Sequence, residues 1–121
     1  GFLVALITDG HAETQMTKID TLGIWNLFDR IIITGALSLS KPDPMPFMLM
    51  GEQLGLEPEE MMYVGDNPLR DVAGARGTGC VPVYVETVRP FPPHCKKPEY
   101  IFRDLDGVEE MLRALPSPKV A

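Results

Sequence analysis

Apolar and polar positions along this chain fall into blocks that repeat as strand, turn and helix. "FLVALIT", residues 2–8, is an unbroken apolar run rich in β-formers. That is the pattern of a strand buried on both faces of a parallel sheet. After "DGH", Ala12, Met16, Ile19 and Gly23 recur at helical spacing, and Gly23 suits a left-handed stop. "RIIITG", residues 30–35, predicts a second strand. In "KPDPMPFMLMGEQLGL", Asp43 suits the N-cap and Pro44 the first helical position, while Phe47, Met50, Gly51 and Leu54 form an apolar stripe that Gly55 closes.

The second half continues the pattern. "MMYVG" (61–65) predicts a third strand, and Asn67-Pro68 opens a helix carrying Leu69, Val72, Ala73 and Arg76. "CVPVYV" (80–85) predicts a fourth strand; Pro82 cannot donate to a ladder, which places that strand towards a sheet edge. A proline-rich loop (89–98) leads to a short strand, "EYIF", and to a last helix, "DGVEEMLRAL", with Asp106 and Glu109 spaced as a capping box. Residues 116–121 read as a frayed tail. Alternating strands and helices imply right-handed βαβ units. The predicted fold is α/β: one domain with a doubly wound parallel sheet between two helical layers. Ligands of such sheets bind beyond the carboxyl ends of the strands.

Bulk properties narrow the classes. A length of 121 residues fits one domain, and a net charge of −6 argues against a nucleic-acid partner. No apolar run approaches the roughly 20 residues that span a bilayer, so no membrane role is expected. Cys80 and Cys95 do not make a disulfide framework, and the expected location is the reducing cytoplasm. His94 and Cys95 have no second pair at metal-ligand spacing.

Three polar clusters stand at predicted strand ends. In "TDG" (8–10), the Thr8 hydroxyl and the backbone N–H groups that follow can take an anion; Thr8 or Asp9 can equally well cap the helix. In "SKPDP" (40–44), Lys41 precedes a proline and a helix, so it is either a point charge for phosphate or a solvated surface lysine. In "GDNPLRD" (65–71), Asp66 closes a strand and Asp71 sits in the next helix. Such carboxylates suit a hard cation such as Mg²⁺, or they suit the positive end of the helix dipole.

The order and spacing of "LVALITDG", "SKPDP" and "VGDNPLRD" resemble the second, third and fourth motifs of the haloacid dehalogenase (HAD) superfamily of hydrolases. The likeness runs over residues 2–88 and more loosely to 115. It implies a Rossmann-like core and a Mg²⁺-dependent phosphatase acting on a small phosphorylated metabolite. The wording of "ITDG" and "KPDP" is most similar to phosphosugar and N-acylneuraminate-9-phosphate phosphatases. Carried over residue by residue, Thr8 would bind the transferred phosphoryl group with the backbone around Asp9 and Gly10. Lys41 would balance negative charge, Asp66 would coordinate Mg²⁺, and Asp71 would hold Lys41 or the water shell of the metal.

The same resemblance calls for an Asp-x-Asp nucleophile motif on an earlier, central strand. The chain has none there; "RDLDG" (103–107) opens a helix near the other end and is not a substitute. The expectation is therefore a partial core, lacking its first strand and cap, that is inactive alone and belongs to a longer hydrolase. A non-catalytic relic that binds phosphate or metal weakly is the alternative. The missing strand would leave the strands at 2–8 and 61–65 about 10 Å apart, with open edges. They would close up, pair with a second copy in a homodimer, or receive an N-terminal segment.

Overall fold

The computed structural model describes residues 2–37 and 41–115, and the predicted tail lies outside them. The elements are β1 (Ala5–Thr8), α1 (Ala12–Leu22), β2 (Arg30–Ile33), α2 (Pro44–Leu54), β3 (Met62–Gly65), α3 (Gly74–Thr78), β4 (Val81–Val85), β5 (Tyr100–Phe102) and α4 (Leu105–Ala114). A π-helical segment, Pro68–Ala73, runs directly into α3. All strand pairs are parallel. They form two sheets, β1-β2 and β3-β4-β5, so among the described residues no ladder joins β1 to β3. The fold is α/β and Rossmann-like, with a gap where its sheet would be continuous.

Local chemistry accounts for most element ends. Asp43 accepts a hydrogen bond from Met45 N and caps α2, whose first residue is Pro44. Gly23 and Gly55 take φ of 65° and 69° as left-handed C-caps of α1 and α2. The predicted stripe of α2 is the buried one: Phe47 and Met50 join Ile7, Ile32, Ala75 and Cys80 in one core, and Leu54 packs against it. On the other side of β4, Val83 and Val85 pack with Val108 of α4. Tyr84, between them, turns the opposite way to Val72 and Phe91. Period-2 alternation thus gives β4 two buried faces and helices on both.

Four expectations need correction. Pro82 does not mark an edge, because β4 is the middle strand of its sheet. Val81 N bonds Met61 O towards β3, so alternation turns the nitrogen of Pro82 towards β5. There β5 begins only at Tyr100, opposite Val83, and no acceptor is lost. The run 2–8 is not buried on both faces: regular structure starts at Ala5, only Ile7 of β1 is buried, and Phe2, Leu3 and Val4 are exposed. Residues 2–4 precede β1, and nothing among the described residues covers their side chains.

The remaining two concern helices. The last helix is capped by Asp104, which accepts from Gly107 N, and Asp106 stands within the first turn. Of the α1 stripe, Ile19 is buried whereas Met16 is exposed. Phe47 is 1% exposed at the centre of the first core. Phe47→Ala is therefore expected to destabilise the fold by about 3–5 kcal/mol, against under about 0.5 kcal/mol for the exposed Leu22→Ala. Urea unfolding followed by circular dichroism measures both.

Candidate functional site

Parallel strands bring their carboxyl ends to one side, and the polar clusters gather there. Gly65 ends β3, the chain turns at Asp66, and Asn67 caps the π-helical segment by accepting from Leu69 N and Arg70 N. That segment carries Asp71 back beneath the turn. Asp71 Oδ2 accepts from the backbone N–H groups of Asp66 and Asn67 at 3.1 and 3.0 Å. A Cβ on Gly65 would overlap the Asp71 carboxylate, so only glycine lets the strand end lie so close. This is the physical reason for the Gly-Asp-x-x-x-x-Asp spacing.

Asp71 Oδ1 accepts from Lys41 Nζ at 2.6 Å, and the two side chains are 8% and 11% exposed. Lys41 Nζ also donates to Tyr63 Oη at 2.8 Å, and Tyr63 in turn donates to Ile7 O at 3.2 Å. Burial works against the Lys41 ammonium, but Tyr63 and Asp71 outweigh it and raise its pKa above the ordinary value. Burial pushes the Tyr63 phenol up to about 12, against the opposing pull of Lys41. An ammonium has three donors, so one N–H of Lys41 has no acceptor among the described residues.

Lys41, Tyr63, Gly65, Asp66, Asp71 and Thr87 are among the residues lining an open cavity of about 320 Å³. Asp66 is exposed, and its carboxylate accepts no hydrogen bond among the described residues. Thr8 is not in this lining; its neighbour Ile7 is. The Thr8 hydroxyl makes only long bonds, to Gln15 Oε1 at 3.4 Å and to Asp9 O at 3.5 Å. Gly10, at φ 116°, turns the chain from β1 into α1.

Asp9 points elsewhere. Its Oδ1 accepts from the buried Thr34 hydroxyl at 2.8 Å and from Lys41 N at 3.1 Å. Its Oδ2 is sealed from solvent without a hydrogen-bond partner among the described residues, 3.9 Å from Arg70 Nη1. Asp9 therefore fastens the end of β1 to the end of β2 and to the backbone of Lys41. Sequence reasoning missed Thr34 and Tyr63. For Thr34 a signal existed, since "IIITG" closes on threonine as "LITDG" does.

Among the described residues, no three Asp, Glu, His or Cys side chains converge as a metal cluster. The donor set still fits Mg²⁺ through one ligand, because that ion keeps several waters and takes one or two carboxylates. Asp66 is available for it. Both oxygens of Asp71 are already engaged by Lys41 and by the turn.

The family model for haloacid dehalogenase-like hydrolases matches residues 1–85. The chain is 38% identical over 86 residues to a phosphoserine phosphatase of Thermus thermophilus, covering 71% of this chain and 34% of that protein. It is 36% identical over 85 residues to a glyceraldehyde 3-phosphate phosphatase of Methanopyrus kandleri, covering 70% of this chain and 36% of that protein. The fold superposes on a HAD phosphatase from Thermococcus onnurineus with a TM-score of 0.83 and 28% identity, over 93% of this chain and 51% of that one. This chain belongs to the haloacid dehalogenase-like hydrolase family. It spans about a third of the length of these curated phosphatases.

Both Tyr63 and Lys41 hold their protons more tightly when folded, since each pKa is raised. The contribution of Tyr63 is complete below the unfolded tyrosine value near 10 and is lost as pH rises towards about 12, and that of Lys41 is lost only as pH passes its own raised value. The urea midpoint is expected to stay level from neutral pH to about 9.5 and then to fall. Absorbance at 295 nm should show the Tyr63 phenol ionising well after free tyrosine, and the Tyr84 phenol, which burial also raises, later than free tyrosine as well.

Proposed function

We propose that this chain carries the phosphate- and metal-facing part of a Mg²⁺-dependent phosphomonoesterase site that acts on small phosphorylated metabolites. The observation that carries the reading is the Lys41 ammonium, fixed between Asp71 and Tyr63 with one donor to spare beside the uncommitted Asp66. A phosphate monoester carries its negative charge on peripheral oxygens, and its transfer is catalysed chiefly by positioning and charge neutralisation. Lys41 meets that charge from one side of the cavity. The Thr8 hydroxyl and the backbone at Asp9 and Gly10 offer donors at the end of β1. Asp66 would hold Mg²⁺, which when bound polarises the phosphoryl oxygens. Asp71 keeps Lys41 charged and in place.

Turnover also needs a carboxylate to attack phosphorus and a proton donor for the leaving alkoxide, with water then releasing phosphate. The resemblance to the haloacid dehalogenase superfamily puts that attack on an Asp-x-Asp motif of another strand, while Asp71 is engaged by Lys41 and Asp104 caps α4. On that ground we assign the attack to an acid outside the described residues. Support for small substrates comes from the relatives, which include phosphoserine, glyceraldehyde 3-phosphate and phosphoglycolate phosphatases. The 2-haloacid dehalogenase of Pseudomonas syringae pv. tomato shares the fold at 25% identity and a TM-score of 0.80. An exposed acid at the cavity favours the metal-using branch. A second reading, a non-catalytic phosphate-binding module, is favoured by the absence of a third converging acid among the described residues.

The test is phosphate release from phosphoserine, phosphoglycolate and an aryl phosphate, with Mg²⁺ and with EDTA. Two proteins are compared: this chain, and the product of its gene read with any upstream coding sequence. Activity is expected only with Mg²⁺ and the longer product, and Asp66→Asn and Lys41→Ala should each lower kcat/KM by about 10²–10³-fold. Near-normal rates in either variant would remove the assigned role. Phosphate binding without turnover by every form would favour the binding module.

A further inference from the structure

We propose that Thr34 is a positioning residue of the anion site, a buried hydroxyl that holds the Asp9 carboxylate on the Lys41 backbone and away from the turn that meets phosphate. The proposal rests on the reading of Lys41 and the Thr8–Gly10 turn as the phosphate-facing groups.

The ladder between β1 and β2 sets up the geometry. Its register pairs Thr8 with Ile33, so the next residue of each strand brings Asp9 opposite Thr34. The Thr34 hydroxyl donates to Asp9 Oδ1 at 2.8 Å, and the same oxygen accepts from Lys41 N at 3.1 Å. Gly35 draws the two strand ends closer still, because a Cβ there would overlap the carbonyl of Gly10. The end of β2 is thus the floor on which the Thr8–Gly10 turn rests.

Thr34 and Asp71 are both buried, at 0% and 6% exposed, and both act on Lys41. Asp71 takes the ammonium directly. Thr34 reaches the backbone of the same residue through Asp9. The carboxylate between them needs holding. It carries negative charge beside backbone N–H groups that are to receive an anion, and free to turn it would repel that anion and compete for the same donors. Arg70 Nη1 lies 3.9 Å from Asp9 Oδ2 on a side chain 59% exposed, too far for a hydrogen bond. Direction is therefore set by the two bonds to Oδ1, and without the hydroxyl Lys41 N would be left to set it alone.

Thr34→Val removes the hydroxyl and nearly keeps the volume, whereas Thr34→Ser keeps the hydroxyl and loses a methyl group. A residue that mattered only by filling space would tolerate valine better than serine. The probe is inorganic phosphate, titrated calorimetrically in the presence of Mg²⁺, with circular dichroism to verify the fold of each variant. Should Thr34→Val not fold, Thr34→Ala against Thr34→Ser makes the same comparison at smaller volume. The valine substitution is also made in an Asp9→Asn background, where the side chain to be held carries no charge.

Thr34→Val is expected to weaken phosphate binding about tenfold, and Thr34→Ser to bind within about twofold of the unaltered protein. In the Asp9→Asn background the valine substitution should cost less than about threefold, because the two residues act as one unit. Unchanged affinity in Thr34→Val would overturn the proposal. Equal losses with valine and serine, or an equal cost of valine in both backgrounds, would overturn it too. In each of these cases, abolished binding in Lys41→Met would leave the reading of the site standing. If Lys41→Met binds phosphate normally, or the unaltered protein binds none, that reading falls and the positioning role falls with it.

Discussion

An ammonium and a carboxylate, each about nine-tenths buried, are held 2.6 Å apart by segments 30 residues distant in sequence. Taking two such charges out of water costs several kcal/mol per ion, and attraction offsets that only when the remaining polar valences are satisfied. Here they are. Asp71 accepts from Lys41 on one oxygen and from two backbone amides on the other, while Lys41 adds a phenol. Removing either partner leaves the other as an isolated buried charge, so the pair constrains its whole surroundings. It accounts for glycine at 65, for the return of the chain through Pro68–Ala73, and for the approach of the segment before α2 to the end of β3.

The two sheets meet through this polar line rather than through a ladder. Backbone pairing is strong within each sheet and absent between them among the described residues. A shared apolar core works in the same direction, since Ile7 of β1, Ile32 of β2 and Phe47 of α2 pack with Ala75 of α3 and Cys80. Position of the site follows from the combination. Lys41 comes from the side of the first sheet, Asp66 and Asp71 from the side of the second, and the open cavity lies where they converge.

Much of this was legible in the residues, and the reasons differ by residue. The caps at Asp43, Gly23 and Gly55 were readable because capping is local chemistry. The convergence of Lys41, Asp66 and Asp71 on one cavity was readable because their spacing repeats a family pattern. Pro82 misled because a missing N–H matters only where a neighbour would have accepted it, and strand order is not local. Asp104 and Asp106 both have the side chain of a cap, and Asp104 is the one that accepts from Gly107 N. Tyr63 and Thr34 read as ordinary strand residues. Their roles are set by what lies opposite, Ile7 O and Asp9, which no window of sequence contains.

The division into two sheets also has a consequence for motion. A ladder transmits order from strand to strand, whereas a line of side-chain bonds transmits it only while every member holds. The apolar core shared by both sheets couples them all the same, so the amides that face it should open together, and those of β5, which among the described residues pairs only with β4, should open to solvent first. In that view the lysine in the cavity is a clasp across the seam of that core, and a phosphate settling on it would touch a bond that both sheets share.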